Sequence, residues 1–163
     1  MYATSAAVFS ALLILTGLAK VRNPHDVARA LGSLGLPSLP WSGLALGLAE
    51  IGVGVSAFFL PAGLLAQGIL YLAFGIWVFV ALQRDVPLAS CGCLGKDDTP
   101  PTAGHLVMNA LAAVLSLLAA GGEPIRLAPG IEGAAQVAVV AVGLFLSYIV
   151  LTDGARLAGV RAK

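Results

Sequence analysis

The chain has 163 residues, of which 59% are hydrophobic and only 10% are charged. Because soluble domains carry about 25% charged residues, this chain has too few polar side chains to coat a water-soluble globule. Its formal net charge of +1 gives no basic surface for nucleic acid, so we expect an integral membrane protein that contacts the lipid bilayer and has no nucleic-acid partner.

Five apolar runs are each close to the roughly 20 residues that an α-helix needs to cross the hydrocarbon core. The runs are continuous and do not alternate with polar residues, which favours helices over the strands of a barrel. The sequence therefore predicts one all-α transmembrane domain over residues 1–163, with spans at 2–19, 41–60, 62–82, 103–120 and 134–152.

A short amphipathic segment follows the first span, at residues 24–36. It opens at Pro24, and the apolar residues Val27, Ala30 and Leu31 recur in it at helical spacing, opposite the charged positions. This pattern predicts a short helix that lies in the membrane interface.

Both cysteines of the chain, Cys91 and Cys93, lie in a polar loop at residues 83–102. A disulfide needs Cα atoms roughly 4.4–6.8 Å apart, which these two positions reach only with a bent backbone, and Gly92 permits that bend. Such a small ring is strained, and a strained disulfide exchanges readily instead of stapling the fold. The pattern predicts a redox-active dithiol, with two free thiols of no joint role as the alternative.

A metal centre at this loop is a weaker interpretation. Two thiolates and His105 supply at most three soft ligands, and the sequence has no second cysteine cluster to complete a tetrahedral site. We therefore expect no metal.

Positive residues are distributed unevenly between the two faces that the five spans define. Of the nine Lys and Arg residues, only Arg126 falls on the face opposite the cysteine loop. The positive-inside rule then predicts a protein of the cell (cytoplasmic) membrane, with its N-terminus outside and with the Cys91/Cys93 loop and the C-terminus in the cytoplasm. Cytosolic thiol buffers would keep a dithiol there mostly reduced.

Four polar residues of the spans are candidate functional residues. Glu50 lies near the middle of the second span, where a carboxylate that faces lipid is unfavourable, so we expect it to face the bundle with Lys20 as its obvious partner. The alternative is that Lys20, which lies at a different depth, extends to the lipid headgroups. His105 and Asn109 share one face of the fourth span, just below the cysteine loop. His105 or Glu50 is a candidate for proton transfer, and a histidine without a chemical role is the alternative for His105.

Three aromatic residues of the third span, Tyr71, Phe74 and Trp77, are candidates for a flat apolar pocket. Such a pocket suits the ring of a quinone, which is the one cofactor that we consider. Ordinary packing inside the bundle is the alternative interpretation of these residues.

Several short motifs resemble the MauE/DoxX family of redox-associated membrane proteins, which includes the methylamine-utilisation accessory protein. The resemblance covers residues 8–118. It rests on Gly17–Val21 with Lys20, on Pro24, on Leu48–Gly52 with Gly54, on Cys91–Gly95 with Gly92 and Gly95, and on Asn109.

The resemblance implies a four-helix core with a redox-active dithiol, to which the fifth span is an addition. It also implies electron transfer between a thioredoxin-like partner and a membrane acceptor such as a quinone. With only two cysteines, the chain lacks the second pair of the related quinone-coupled enzymes, which favours direct exchange with a partner that brings its own dithiol.

Two functions follow as hypotheses. The first is a membrane thiol-disulfide oxidoreductase in which Cys91 and Cys93 cycle between dithiol and disulfide. The second is a non-catalytic subunit, or an assembly or maturation factor, of a larger membrane complex.

Overall fold

The structure, a computed structural model, describes residues 2–33, 35, 37–83, 102–122, 125 and 128–157. Within these ranges the chain forms helices and no strand, so the expected all-α fold is confirmed. The helices are α1 (Tyr2–Arg22), α2 (His25–Ser33), α3 (Ser42–Ser56), α4 (Pro61–Gln83), α5 (Ala103–Ala120) and α6 (Ile131–Leu157). The predicted cysteine site, with Cys91, Gly92, Cys93 and Gly95, lies outside the described residues.

Four helices of the described ranges are long and apolar enough to cross a membrane, and the chain is therefore a multi-pass membrane protein. The apolar stretches are Thr4–Arg22, Pro61–Gln83, Ala103–Ala120 and Ile131–Val150.

Helix α3 is shorter than the span expected at residues 41–60. Its 15 residues reach about 22 Å at 1.5 Å per residue, less than the roughly 30 Å of the hydrocarbon core. The turn after it still closes its backbone hydrogen bonds, because the amides of Ala57 and Leu60 donate to the carbonyls of Val53 and Ser56. Helix α4 then begins at once with Pro61. The polar backbone is thus satisfied along the whole stretch to the hairpin.

Helix α1 lies at the centre of the bundle. It packs along α3 and also contacts α5 and α6, while α4 pairs mainly with α5. In its apolar stretch 56% of the residues are buried inside the protein, against 11% in that of α6. Helix α6 therefore packs on the outside of the bundle, where lipid covers most of its surface.

Glycines allow α1 and α3 to pack closely. A Cβ atom at Gly17 would lie 2.6 Å from the carbonyl oxygen of Gly47, and one at Gly47 would lie 2.8 Å from the carbonyl oxygen of Gly17. No real side chain fits at these distances, so the two backbones approach as they do in other membrane helix pairs with small residues at the interface.

A second buried polar group, which lies away from the α1–α3 contact, is a glutamine that links three helices. Gln67 on α4 accepts a hydrogen bond from Ser10 Oγ of α1 at 2.7 Å and donates one to Ser116 Oγ of α5 at 2.9 Å. All three residues have no exposed surface. This interhelical bonding fixes the relative rotation of α1, α4 and α5.

The short helix α2 lies within the amphipathic segment predicted at residues 24–36. Its apolar residues Val27 and Ala30 are buried, and Ala30 packs with Ala81 and Trp77 of α4. On its polar side Arg29 forms an ion pair with Asp26. The helix thus covers one end of the bundle with its apolar face.

Candidate functional site

A buried ion pair lies between the two closely packed helices. Lys20 Nζ of α1 is 2.9 Å from Glu50 Oε1 and 3.0 Å from Glu50 Oε2 of α3. Glu50 has no exposed surface and Lys20 is 7% exposed. The structure therefore pairs the two residues that the sequence suggested as partners, and the Lys20 side chain is buried inside the bundle.

The close helix contact explains why the pair forms. Gly17 and Gly47 each lie three residues before a member of the pair, on the faces where α1 and α3 meet. Their short approach distance lets the Lys20 side chain reach Glu50 without leaving the bundle.

Two neighbours complete the surroundings of the ion pair. Thr16 Oγ1 lies 3.2 Å from Glu50 Oε2, to which it donates a hydrogen bond. The Lys20 ammonium lies 5.8 Å from the ring centre of Phe74, within the range of a cation–π contact. The hydrogen bonds from Thr16 and Lys20 are thus both accepted by the same carboxylate oxygen, Glu50 Oε2.

The other carboxylate oxygen, Oε1, is buried and accepts no hydrogen bond from the described residues. Its 2.9 Å distance to Lys20 Nζ gives it electrostatic attraction, but the approach lacks the direction of a hydrogen bond. A carboxylate oxygen has two acceptor positions, so Oε1 retains the capacity to bind a donor.

The ion pair lies on the wall of a cavity of about 290 Å³, which we call the ion-pair cavity. Its volume is at the lower end of the roughly 300–1,000 Å³ typical of small-molecule sites. Four polar residues reach it, and the rest of the wall is apolar. The polar residues are Thr16, Lys20, Glu50 and Asn109.

The position of the cavity follows from the direction of the helices. Lys20 lies near the end of α1, Trp77 near the end of α4 and Asn109 near the beginning of α5. Because Phe9 and Tyr71 lie in the middle of their helices, the cavity extends from the middle of the bundle towards the end where α4 ends and α5 begins. The cysteine loop connects these two helices.

Aromatic rings form one side of the cavity. The rings of Phe9 and Tyr71 meet edge to face at 5.8 Å and 73°, and those of Tyr71 and Phe74 at 6.3 Å and 84°. The Tyr71 hydroxyl donates a hydrogen bond to the Phe9 carbonyl at 2.8 Å. Trp77 lies on the same wall one turn further along α4. These contacts hold the rings in defined orientations.

Helix α5 contributes His105 and Asn109 in different ways. Asn109 lines the cavity and donates to the His105 carbonyl at 2.7 Å. His105 Nδ1 accepts a hydrogen bond from the Thr102 amide at 3.2 Å and lies 2.8 Å from Thr102 Oγ1, at the start of the helix. Because a backbone amide only donates, the neutral ring carries its proton on Nε2.

The Nε2 atom of His105 is buried and has no hydrogen-bond partner among the described residues. His105 does not line the ion-pair cavity. It is therefore not one of the residues that surround Glu50 on the wall of that cavity.

Most of the predicted residues of the described part come together. Lys20, Glu50, Asn109 and the three aromatic residues of α4 all line one cavity, whereas Pro24 lies outside it. The Pro24 carbonyl oxygen instead lies so close to Gly43 that a Cβ atom at Gly43 would be 2.0 Å away, which fixes the chain between α1 and α2 against the start of α3.

The sequence analysis did not identify Phe9, Thr16 and Met108, which also line the cavity. Thr16 carried a usable signal, because it precedes Lys20 by four residues and so shares its helical face. Phe9 and Met108 are ordinary apolar residues of apolar helices, and only the packing distinguishes them.

Comparison with known proteins gives a match to one family. The family described as "Methylamine utilisation protein MauE" matches residues 1–122 of the chain, about three quarters of its length. The match includes the helices α1 to α5 and stops before α6. No curated protein and no solved structure shows significant similarity to the chain.

Proposed function

The chain belongs to the MauE family of methylamine utilisation proteins, and on that basis we propose that it is a membrane accessory protein that performs thiol–disulfide exchange. Cys91 and Cys93 would cycle between dithiol and disulfide. The observation that supports this most directly is that the chain's only two cysteines flank a single glycine in one polar loop.

The proposed reaction transfers two electrons from a thioredoxin-like partner to a membrane acceptor such as a quinone. Partner dithiol and loop disulfide exchange, which leaves the partner oxidised and the loop reduced. The loop dithiol then loses two electrons and two protons as its S–S bond forms again, and the quinone takes up both to become a quinol.

The residues near the loop have proposed roles in this cycle. His105 stands three residues inside the turn that begins α5, and its Nε2–H would donate to a thiolate formed during exchange. Glu50 would exchange protons with the acceptor, and the rings of Tyr71, Phe74 and Trp77 would hold it. The common cavity of these four residues supports the second part of the proposal.

We propose that the cysteine loop and the C-terminus face the cytoplasm and that the N-terminus lies outside. The uneven distribution of Lys and Arg supports this orientation, because only Arg126 falls on the opposite face. Because the cytoplasm keeps thiols reduced, a dithiol there suits the reduction of a quinone better than the formation of disulfides in client proteins.

The test is a reconstituted cycle in lipid vesicles with reduced thioredoxin as the thiol partner and decylubiquinone as the acceptor. We expect quinol formation from the wild type and none from Cys91→Ser/Cys93→Ser, with Ser90→Ala as a loop control that retains both thiols. Each single serine variant keeps one thiol but cannot form the loop disulfide, so we expect neither to form quinol. Equal quinol formation by the wild type and the double serine variant contradicts the proposal.

The second candidate function is that of a non-catalytic subunit or maturation factor in a larger membrane complex. The name of the family, which describes methylamine utilisation and no reaction, favours it. In that case the double serine variant would support assembly of the complex as the wild type does, which separates the two functions.

A further inference from the structure

We propose that the ion-pair cavity binds the headgroup of an isoprenoid quinone, with Lys20 Nζ as the donor to a quinone carbonyl and Glu50 Oε1 as the acceptor from a quinol hydroxyl. This inference rests on the proposed function for its choice of acceptor. It goes further by assigning the recognition of both redox forms to one buried ion pair.

The hydrogen-bonding capacity of the pair carries the argument. Lys20 has three N–H donors, of which one is directed at Glu50 Oε2. Glu50 is one of the residues that line the cavity, and its buried Oε1 atom has no hydrogen-bond donor among the described residues. The cavity thus presents one donor and one acceptor about 3 Å apart.

A quinone matches this arrangement because its oxygen changes character on reduction. The oxidised carbonyl only accepts a hydrogen bond, whereas the quinol hydroxyl also donates one. Lys20 therefore satisfies the first form, and Glu50 Oε1 satisfies the hydroxyl of the second. A hydrocarbon chain of a lipid would need neither group, and a carboxylate ligand would be repelled by Glu50.

The apolar wall agrees with a planar ring. Phe9, Tyr71 and Phe74 form a continuous edge-to-face series, and Trp77 extends the aromatic wall towards the end of α4. Aromatic rings held in this way stack on or meet the edge of another flat ring.

One end of the cavity is closed by the short helix α2 and not by a spanning helix. Its residues Val27, Ala30 and Leu31 line the cavity, while its Asp26–Arg29 ion pair lies on the polar side. The cavity therefore reaches the end of the bundle that the amphipathic helix α2 covers, where a polar ring can bind with its apolar tail in the bilayer.

The two tryptophans of the chain allow a direct binding test. Trp77 lines the cavity, whereas Trp41 is 59% exposed and lies outside it. In the Trp41→Phe variant, reconstituted in phosphatidylcholine nanodiscs, we expect saturable quenching of Trp77 by decylubiquinone. In the matched Trp77→Phe variant, the remaining Trp41 should show only the linear quenching that follows from partition of the quinone into the bilayer.

The ion pair is tested by substitutions in the Trp41→Phe background. Lys20→Met is expected to weaken binding of decylubiquinone at least about tenfold, because the quinone carbonyl loses its donor. Glu50→Gln is expected to weaken binding of decylubiquinol, measured by its displacement of the quinone, to a similar extent, because a neutral amide oxygen accepts more weakly than a carboxylate. Ser10→Ala, which removes a buried hydrogen bond outside the cavity, leaves both unchanged. A single substitution leaves one charge unpaired and can impair folding, so the double variant Lys20→Met/Glu50→Gln is included. A folded double variant that binds decylubiquinone as tightly as the parent overturns the proposal.

Two further arms separate the ligand source and the proposed function. If oleate displaces decylubiquinone as effectively as a second quinone does, the cavity is a pocket for lipid chains, which contradicts quinone recognition. The same titration in a Cys91→Ser/Cys93→Ser background should retain full binding. If the protein binds the quinone but shows no thiol exchange, only the proposed function is refuted. If it shows thiol exchange but the quinone quenches Trp77 no more than it quenches Trp41, only this inference is refuted.

Discussion

Gly17 on α1 and Gly47 on α3 approach so closely that a methyl group on Gly17 would lie 2.6 Å from the Gly47 carbonyl oxygen. The ion pair between Lys20 and Glu50 forms beside this contact, because Lys20 follows Gly17 by three residues on α1 and Glu50 follows Gly47 by three residues on α3. The contact between two glycines therefore determines whether a charged pair can exist inside the bundle.

We expect Gly47→Val to separate α1 from α3 and to destabilise the protein by about 1–3 kcal/mol, as overpacking of a tight contact does. Gly52→Val is the matched control on the same helix, because a Cβ atom there meets nothing within 4 Å. Thermal unfolding in detergent, followed by size-exclusion chromatography, measures both. Equal unfolding temperatures of the two variants would show that the close contact is unimportant.

The sequence was sufficient to predict the helices and part of the site. Continuous apolar runs specify membrane helices because the bilayer leaves the backbone no other way to satisfy its hydrogen bonds. A carboxylate such as Glu50 must face inward for the same energetic reason, which also made Lys20 its foreseeable partner.

The remaining features depend on the rotation of packed helices, which no local pattern specifies. Phe9 and Met108 belong to uniformly apolar helices, so their place on the cavity wall is set only by how α1 and α5 turn against α4. The contribution of α2 to the cavity could not be predicted from the sequence for a different reason. Its amphipathic pattern predicts a buried apolar face but does not say what that face covers.

A double-mutant cycle should show strong coupling within the ion pair. Lys20→Met and Glu50→Gln are each expected to destabilise the protein by about 3–5 kcal/mol, because each leaves a buried partner uncompensated. The double variant should lose much less than the sum of the two. Urea unfolding in mixed micelles gives the three free energies, and additive losses would contradict direct pairing.

Removal of the central glutamine should have a modest effect. Gln67→Leu is expected to destabilise the bundle by about 1 kcal/mol, near the average for membrane interhelical hydrogen bonds. The loss is limited because Ser116 keeps its bond to the Ala112 carbonyl, while Ser10 can donate its one hydroxyl proton to the Ala6 carbonyl once Gln67 is absent. Gln83→Leu on the exposed end of α4 is the matched control for the same chemical change. A loss above about 3 kcal/mol would mean that the serines do not retain these bonds.

The proposed role of His105 predicts a change in the pH dependence of cysteine alkylation. A donor at Nε2 favours the thiolate, so His105→Asn should move the pH of half-maximal alkylation upward and slow the reaction at neutral pH. Thr102→Val is the control that alters the start of α5 but keeps the imidazole. Maleimide labelling rates between pH 6 and 9 in detergent provide the measurement. An unchanged pH profile for His105→Asn would restrict this histidine to a structural role at the helix start.

The proposed orientation predicts which compartment reaches the cysteines. Since both cysteines of the chain lie in this loop, labelling by a membrane-impermeant maleimide reports which side of the membrane the loop faces. We expect Cys91 and Cys93 to be labelled only after lysis, and without prior reductant, because the cytoplasm keeps thiols reduced. In a Cys91→Ser/Cys93→Ser background, the substitution Ala62→Cys, at the exposed start of α4, should be labelled in intact cells. Labelling of the native pair in intact cells after an impermeant reductant would reverse the orientation and identify an oxidised, extracytoplasmic disulfide.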